Sequence, residues 1–370
     1  MKVEEPLSLK YRPKKLSQVI GQPVVVKAFT NAFKTNTLHH AYILSGHTGC
    51  GKTTIGRIVA AMENCKKDGK DPCGKCSNCV EIFEGKSYEV IEQDAGSKGN
   101  VDDIRAIHKS LYQCPVECKT KYVILDEAHS LSGKAAEASL KMIEEPPPHV
   151  RIILLTTEPQ AFKETILNRC ILWNFKKVSR ENILQHLKGI AEKENLNCDD
   201  KTLQIISRYS KGSVRNCLQN LQTVINYVGE DKITVESALE SLGVIDDNLY
   251  FDLFDGIIEK DTIKCFSAIN QMFRDGKDVR IIIDGIYDHL NNLLVSRTCK
   301  NDLSNFDFTQ EEEKRYLYQN SKILKNGGDY ILMMMNLLST VSFGVEYGLN
   351  PAQLFNKFAV ESIQIFRKGQ

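Results

Sequence analysis

The chain has 370 residues, with 48 Lys and Arg against 47 Asp and Glu and 42% hydrophobic residues. That length favours two or three domains, because single cores rarely grow past about 250 residues. The balanced charge excludes a disordered or basic-tail protein, so any contact with nucleic acid has to come from a local basic face.

The opening segment MKVEEPLSLKYRPKKL carries no apolar run of signal-peptide length, and a cytoplasmic chain is expected. Up to residue 177, short β-rich runs alternate with helical patterns: HAYILSG, YEVIEQD, KYVILDEAH and RIILLTTEP. Such runs, flanked by helices, predict a parallel sheet covered on both faces. From 178 to 243 the pattern is helical throughout, in SRENILQHLKGIAEKENL, DKTLQIISRYS, SVRNCLQNLQTVINYVG and TVESALESLG, which predicts a small four-helix unit. Residues 244–370 form a third, longer helical section, clearest in DVRIIIDGIYDHLNNLLVSR and DYILMMMNLLSTVSFGVEYG. The most apolar stretch, Tyr330 to Val345, is interrupted by Asn336, Ser339 and Thr340. It falls short of the roughly 20 residues of a membrane span and reads as a buried helix, with no membrane association expected. The chain shows no internal repeat and no low-complexity tail.

The segment GHTGCGKT, Gly46 to Thr53, matches G-x-x-x-x-G-K-[ST] between the strand-like AYILS and the helix-like TTIGRIVAAMENC. In that setting backbone amides and a helix N-terminus cradle phosphates, Lys52 reaches the β and γ oxygens, and Thr53 ligates magnesium. The segment YVILDEAHS runs four apolar residues into two carboxylates, with Asp126 lying 73 residues after Thr53. Asp126 is expected to hold the magnesium and Glu127 to orient or activate the attacking water, which together point to NTP hydrolysis. Thr157, after IILLT, is either a sensor of the γ-phosphate or water, or a plain strand-end threonine. Arg169 in ILNRC and Arg215 in KGSVRN stand where an NTPase switch wants cations, although each alone also suits a solvated surface.

Cys65, Cys73, Cys76 and Cys79 fall within fifteen positions as Cys-x7-Cys-x2-Cys-x2-Cys, among twelve cysteines in all. Two overlapping Cys-x-x-Cys steps suit a tetrahedral zinc at about 2.3 Å per sulfur, and Gly74 eases the tight turn. An iron–sulfur cluster is the alternative and disulfides are disfavoured by compartment. With four thiols and no neighbouring His or acid pair, the site reads as structural. The scattered cysteines read mostly as small buried hydrophobes.

Along LKYRPKKLSQVIGQ, HHAYILSGHTGCGKTT, the four-cysteine insert, IEQDAGS, VDDIR, VILDEAHSLS, LKMIEEPPPHV, TTEPQ, TILNRC and GSVRNCL, the sequence resembles the γ/τ subunits of the bacterial DNA polymerase III clamp loader, which are AAA+ ATPases. The likeness is close over the first 240 residues, and the rest matches only as an expected helical collar. The resemblance implies an AAA+ domain over 1–177 with a zinc module at 65–79, a helical lid over 178–243 and a collar for oligomerisation over 244–370. It implies ATP, magnesium and structural zinc as cofactors. The adenine would be flanked by Tyr11, Arg12 and Pro13 with Val19, Ile20 and Gly21, and the phosphates held by Gly46, Thr48, Gly49, Cys50, Gly51, Lys52, Thr53 and Thr54. Arg215 would be the lid's sensor of ATP, and Arg169 a finger acting in the neighbouring subunit's site. The implied partners are other loader subunits in a homo- and hetero-oligomeric, pentameric ring, a sliding clamp and primer–template DNA, with Lys98 and Arg105 as the candidate DNA contacts.

Three positions depart from the family's usual pattern: Asn168 before Arg169 where serine is usual, Asn216 after Arg215 where aspartate is usual, and Thr48 where arginine is more common. They suggest a distant member, phage-encoded or from an AT-rich bacterium given the Lys, Asn and Ile content, and with its end at residue 370 the chain resembles the family's short form. Two rival readings are a non-hydrolysing scaffold of the same complex, similar to its δ′ subunit, and a different AAA+ DNA motor. The intact Lys52–Thr53 and Asp126–Glu127 pairs disfavour the first, and the zinc insert and EEPP disfavour the second.

Overall fold

The computed structural model describes residues 5–67, 71–131, 133–274, 278–299, 308–325 and 330–368. The chain divides into two compact units, Met1–Thr234 and Val235–Gln370.

The first unit is built on five parallel strands, β1 (Ala41–Gly46), β2 (Val90–Asp94), β3 (Lys121–Asp126), β4 (Val150–Thr156) and β5 (Ile171–Phe175), in the order β2-β3-β4-β1-β5. Register follows from pairs such as Ala41 with Ile152, Tyr42 with Ile171, Val90 with Tyr122 and Lys121 with Val150. Because side chains alternate across a strand, Tyr42, Leu44, Tyr122 and Ile124 enter one core and Ala41, Ile43, Val123 and Leu125 the other. The first core is closed by α2 (Pro23–Thr35) and α3 (Lys52–Asn64), through Val25, Phe29, Ile55 and Ile58. The second is closed by α6 (Val101–Leu111) and α7 (Gly133–Glu144), through Ile104, Ile107, Met142 and Ile143. Short helices α1 (Leu7–Lys10), α4 (Ser77–Glu84), α5 (Ala95–Lys98) and α8 (Glu164–Leu167) complete this layer.

The expected parallel sheet is present, with one strand more than the four apolar runs indicated. The fifth, ILWNF, lies at the sheet edge and buries only Phe175 fully, so it lacks the continuous apolar run by which a central strand is recognised.

Three helices follow in the same unit: α9 (Arg180–Lys193), α10 (Asp200–Tyr209) and α11 (Val214–Val228). Each begins at a residue whose side chain accepts a hydrogen bond from a first-turn amide: Ser179 from Asn182, Asp199 from Thr202 and Ser213 from Asn216. Such caps satisfy amides that have no partner within the helix.

The second unit is helical in its described residues: α12 (Val235–Ser241), α13 (Asp247–Glu259), α14 (Thr262–Arg274), α15 (Val279–Thr298), α16 (Gln310–Lys325), α17 (Tyr330–Glu346) and α18 (Pro351–Lys368). Its core gathers Phe251, Phe254, Ile282, Leu290, Leu338, Phe355 and Phe358. The buried helix expected over Tyr330 to Val345 is buried on one face only. Ile331, Met334, Leu338 and Val341 face the core, while Leu332, Met333 and Phe343 are exposed. Among the described residues no helix is long and apolar enough to cross a membrane.

Candidate nucleotide-binding site

Strand β1 ends at Gly46, and the loop after it turns into α3 through Gly51, which caps the helix in a left-handed conformation with φ of 103°. Nothing lies within 4 Å of where a Cβ on Gly51 would sit, so Gly51 itself faces open space at the positive end of α3. Lys52 is 6% exposed, and its Nζ donates to the carbonyls of Gly46 at 2.5 Å and His47 at 3.2 Å. Thr53 Oγ1 donates to Asp126 Oδ2 at 3.1 Å, joining the first turn of α3 to the end of β3.

Asp126 Oδ1 accepts from the Glu127 amide at 2.9 Å, and Glu127 takes a left-handed conformation with φ of 48°. The Glu127 carboxylate is approached by the Thr157 hydroxyl at 3.5 Å and by His129 Nδ1 at 3.5 Å. His129 Nδ1 also lies 3.1 Å from Thr156 Oγ1. A non-glycine residue in this region is uncommon and mildly strained, and here two side chains hold its carboxylate.

These groups open into a cleft lined by Tyr11, Arg12, Pro13, Val19, Ile20, Thr48, Gly49, Cys50, Gly51, Lys52, Thr53, Thr54, Asp126, Glu127 and Arg215. Its floor is the loop, and its walls come from the N-terminal segment and from α11. Gly49 O accepts from the amides of Val214 at 3.1 Å and Arg215 at 3.5 Å, which docks the start of α11 on the loop. Arg12 Nε donates to Thr54 Oγ1 at 3.2 Å. Tyr11 donates its hydroxyl proton to Glu194, which also pairs with Lys10 at 2.6 Å, so the N-terminal segment is tied to the end of α9. Burial, followed by the Glu194 hydrogen bond, pushes Tyr11 up to about 12, while hydrogen bonds from Lys10 and Tyr11 hold Glu194 below the usual carboxylate range. Burial and the nearby Arg57 and Arg215 lower Arg12 to about 10. Arg57 is paired with Glu92, which leaves Arg12 and Arg215 as the arginines lining the cleft, where an anion is favoured.

The four sulfurs of Cys65, Cys73, Cys76 and Cys79 lie within 4.8 Å of one another, the one such cluster of potential ligands among the described residues. Cys73 and Cys79 are 4.0 Å apart. A tetrahedron of sulfurs at the zinc distance has edges of about 3.8 Å, so the cluster fits the ion. Cys65 Sγ accepts from the Cys73 amide at 3.4 Å and Cys73 Sγ from the Cys76 amide at 3.3 Å. The amides of Lys75 and Cys76 pull Cys73 down to about 6, whereas burial pushes Cys79 up. Thiolates held by backbone amides suit a soft divalent cation.

Comparison with known proteins places the chain in one family. A family described as "DNA polymerase III, delta subunit" matches residues 21–179, and one described as "DNA polymerase III subunits gamma and tau domain III" matches residues 233–341. The γ subunit of DNA polymerase III from Buchnera aphidicola subsp. Acyrthosiphon pisum is 34% identical over 293 residues, covering 79% of this chain and 81% of that one. This chain belongs to the γ/τ subunit family of DNA polymerase III. The Haemophilus influenzae τ/γ subunit is 38% identical over 248 residues, 67% of this chain but 36% of its own length. A RuvB point mutant from Thermotoga maritima shares the fold alone, with a TM-score of 0.50 and 20% identity over 68% of this chain and 80% of that one.

In this γ/τ-family chain the other residues singled out from the sequence stand apart from the cleft. Gly46 lies behind it as a carbonyl partner of Lys52, and Thr157 reaches it through Glu127. Gly21 is not among the lining residues. Arg169 is 41% exposed, donates to Thr165 O at 2.9 Å and pairs with Glu144 at 3.3 Å. Arg105 pairs loosely with Asp102 at 3.8 Å on an exposed helix turn. The side chain of Lys98 lies outside the described residues. Sequence reasoning missed Ser8, Leu9, Val214 and Leu218 in the cleft wall, and also His129 and Glu194. For His129 the available signal was its place two residues after Glu127; Glu194 offered none, since it lies 183 residues from Tyr11.

Proposed function

We propose that this chain is an ATPase subunit of the loader that opens a sliding clamp and closes it on primer–template DNA. The observation that carries the reading is that Lys52, Thr53, Asp126, Glu127 and Arg215, from three separated parts of the sequence, line one cleft. In it Lys52 moves its ammonium from the Gly46 and His47 carbonyls to the β and γ oxygens, and Tyr11, Arg12, Pro13, Val19 and Ile20 receive the base. Thr53 and Asp126 hold magnesium, which supplies neutralisation of the phosphate charge when bound. Glu127, steadied by Thr157 and His129, orients the attacking water. Arg215 ties the start of α11 to the nucleotide, so ATP and ADP states favour different placements of that helix. Arg169, half-exposed on Glu144 and the Thr165 carbonyl, exchanges these surface partners for a neighbouring subunit's site, where an arginine finger is worth about 10³ to 10⁵ in rate. Zinc at Cys65, Cys73, Cys76 and Cys79 is structural. ATP binding favours the clamp-holding state of a pentameric assembly with companion subunits, and hydrolysis on primed DNA releases both.

The match of residues 21–179 to the δ-subunit family favours a second reading, a scaffold without hydrolysis. A scaffold has no use for the Lys52–Thr53 and Asp126–Glu127 pairs. Steady-state ATP hydrolysis by the chain with its companion subunits, with and without clamp and primed DNA, tests the choice. Stimulation by clamp and primed DNA that is lost in Arg169→Ala is expected. Hydrolysis indifferent to the clamp, or equally fast in Arg169→Ala, overturns the mechanism.

A further inference from the structure

Asn64 is the last residue of α3, and Cys65, the first of the four clustered thiols, follows it. Its side chain is buried and engaged at both ends. Nδ2 donates to Thr120 O at 2.8 Å, and Oδ1 accepts from the amides of Lys119 and Thr120, both at 2.9 Å. Asn78, beside Cys79 in α4, is buried as well, and its Nδ2 donates to Asn64 O at 2.9 Å and Glu117 O at 3.0 Å. Five hydrogen bonds from two amides thus join the end of the phosphate-binding helix, the cysteine module and the run 117–120 that feeds β3. A carboxamide is needed at each place, because aspartate cannot donate and leucine can do neither.

The two elements pinned there have matching lengths. Helix α3 has 13 residues and strand β3 has 6; at about 1.5 and 3.3 Å per residue, each spans about 20 Å. From the asparagines α3 is followed back toward its N-terminus and β3 forward toward its C-terminus, so the two lie antiparallel and meet again at the far end, where Thr53 Oγ1 lies 3.1 Å from Asp126 Oδ2. A slide of β3 along α3 at the pinned end therefore appears at the pair assigned to magnesium. A displacement of about 1 Å in a catalytic constellation costs about a hundredfold in rate.

We infer that Asn64 and Asn78 are positioning residues through which the zinc-loaded cysteine module fixes the register of β3 against α3. Cys65 and Cys79 are the chain neighbours of the two asparagines, so loosening the thiol cluster moves both amides. The inference rests on the proposed ATPase for its effect on rate, but the register itself is open to direct measurement.

The test is hydrogen exchange and ATP hydrolysis on the full chain with its companion subunits, comparing zinc-loaded protein, protein stripped by a zinc chelator and re-supplied with zinc alone, and zinc-loaded Asn78→Ala. Stripped protein and Asn78→Ala are both expected to exchange the amides of residues 121–126 about tenfold faster or more. Hydrolysis is expected to fall about 10- to 100-fold, with the ATP Kd changed less than about threefold. Re-supplied zinc restores the stripped protein but not Asn78→Ala, which keeps one zinc per chain. Faster exchange confined to residues 65–79, with β3 and hydrolysis unchanged, overturns the inference. Should the stripped protein precipitate, Asn78→Ala decides it alone: β3 exchange equal to wild type refutes the register role. Should the wild type not hydrolyse ATP at all, the functional reading fails while the exchange still decides the register.

Discussion

Replacing Gly49 with alanine tests whether the phosphate loop and the start of α11 form one packed unit. Gly49 sits at φ of 78°, and a Cβ there would lie 2.1 Å from Ser213 Oγ and 3.0 Å from Arg215 Cβ. Gly348, in the other unit, has the same φ with nothing within 4 Å of its Cβ position. The left-handed backbone alone costs alanine about 1–2 kcal/mol at either site. At Gly49 the displaced hydroxyl is also the cap of α11, accepting from the Asn216 amide at 3.2 Å, and losing a cap costs a further 0.5–2 kcal/mol or about that. Gly49→Ala is therefore expected to lose about 1.5–4 kcal/mol in urea denaturation, against about 1–2 kcal/mol for Gly348→Ala. Because the contact also moves Arg215, Gly49→Ala is expected to weaken ATP binding about tenfold or more, the worth of one charge-assisted hydrogen bond. Equal stability losses in the two variants, together with wild-type ATP affinity in Gly49→Ala, would refute the packing argument.

Two more outcomes follow from the cleft. Glu127→Gln keeps the shape of the side chain and the partners at Thr157 and His129; ATP binding is expected within about twofold of wild type and hydrolysis to drop about 10² to 10⁴, as for loss of a general base. A variant that hydrolyses at the wild-type rate in single-turnover measurements would remove Glu127 from that role. Glu194 is depressed by its hydrogen bonds to Lys10 and Tyr11. Its contribution to stability is thus fully present above the unfolded carboxylate value of about 4.3 and is lost as pH falls through the lower folded value. The Tm difference between wild type and Glu194→Gln is expected to be steady from neutral pH to about 5 and to shrink below about 4. A difference that stays flat down to pH 3, or about that, would show that Glu194 acts by packing rather than by charge.

How much could be read in advance depended on sequence distance. The loop from Gly46 to Thr53 is legible because its donors are consecutive backbone amides and the adjoining Lys52 and Thr53, all placed by one local turn. The cysteine spacing is legible for the same reason. Strands β1, β3 and β4 are visible as apolar runs because both of their faces are buried. Strand β5 is not, because Ile171 and Leu172 are 39% and 38% exposed at the edge and its sequence carries no burial pattern. The second face of α17 was likewise hidden, since hydropathy records apolar residues whether or not a neighbour covers them.

The sequence by itself determined the parallel sheet flanked by helices, the spacing that gathers four thiols, the helical character of the later residues and the family. The tertiary structure alone decided which distant groups meet: Arg12 and Thr54, Tyr11 and Glu194, His129 and Thr157 at Glu127, and two asparagines that join the cysteine module to residues 117–120 ahead of β3. A single polar residue carries no periodic signal, and its partner is fixed only when the strand order brings remote segments within hydrogen-bond reach.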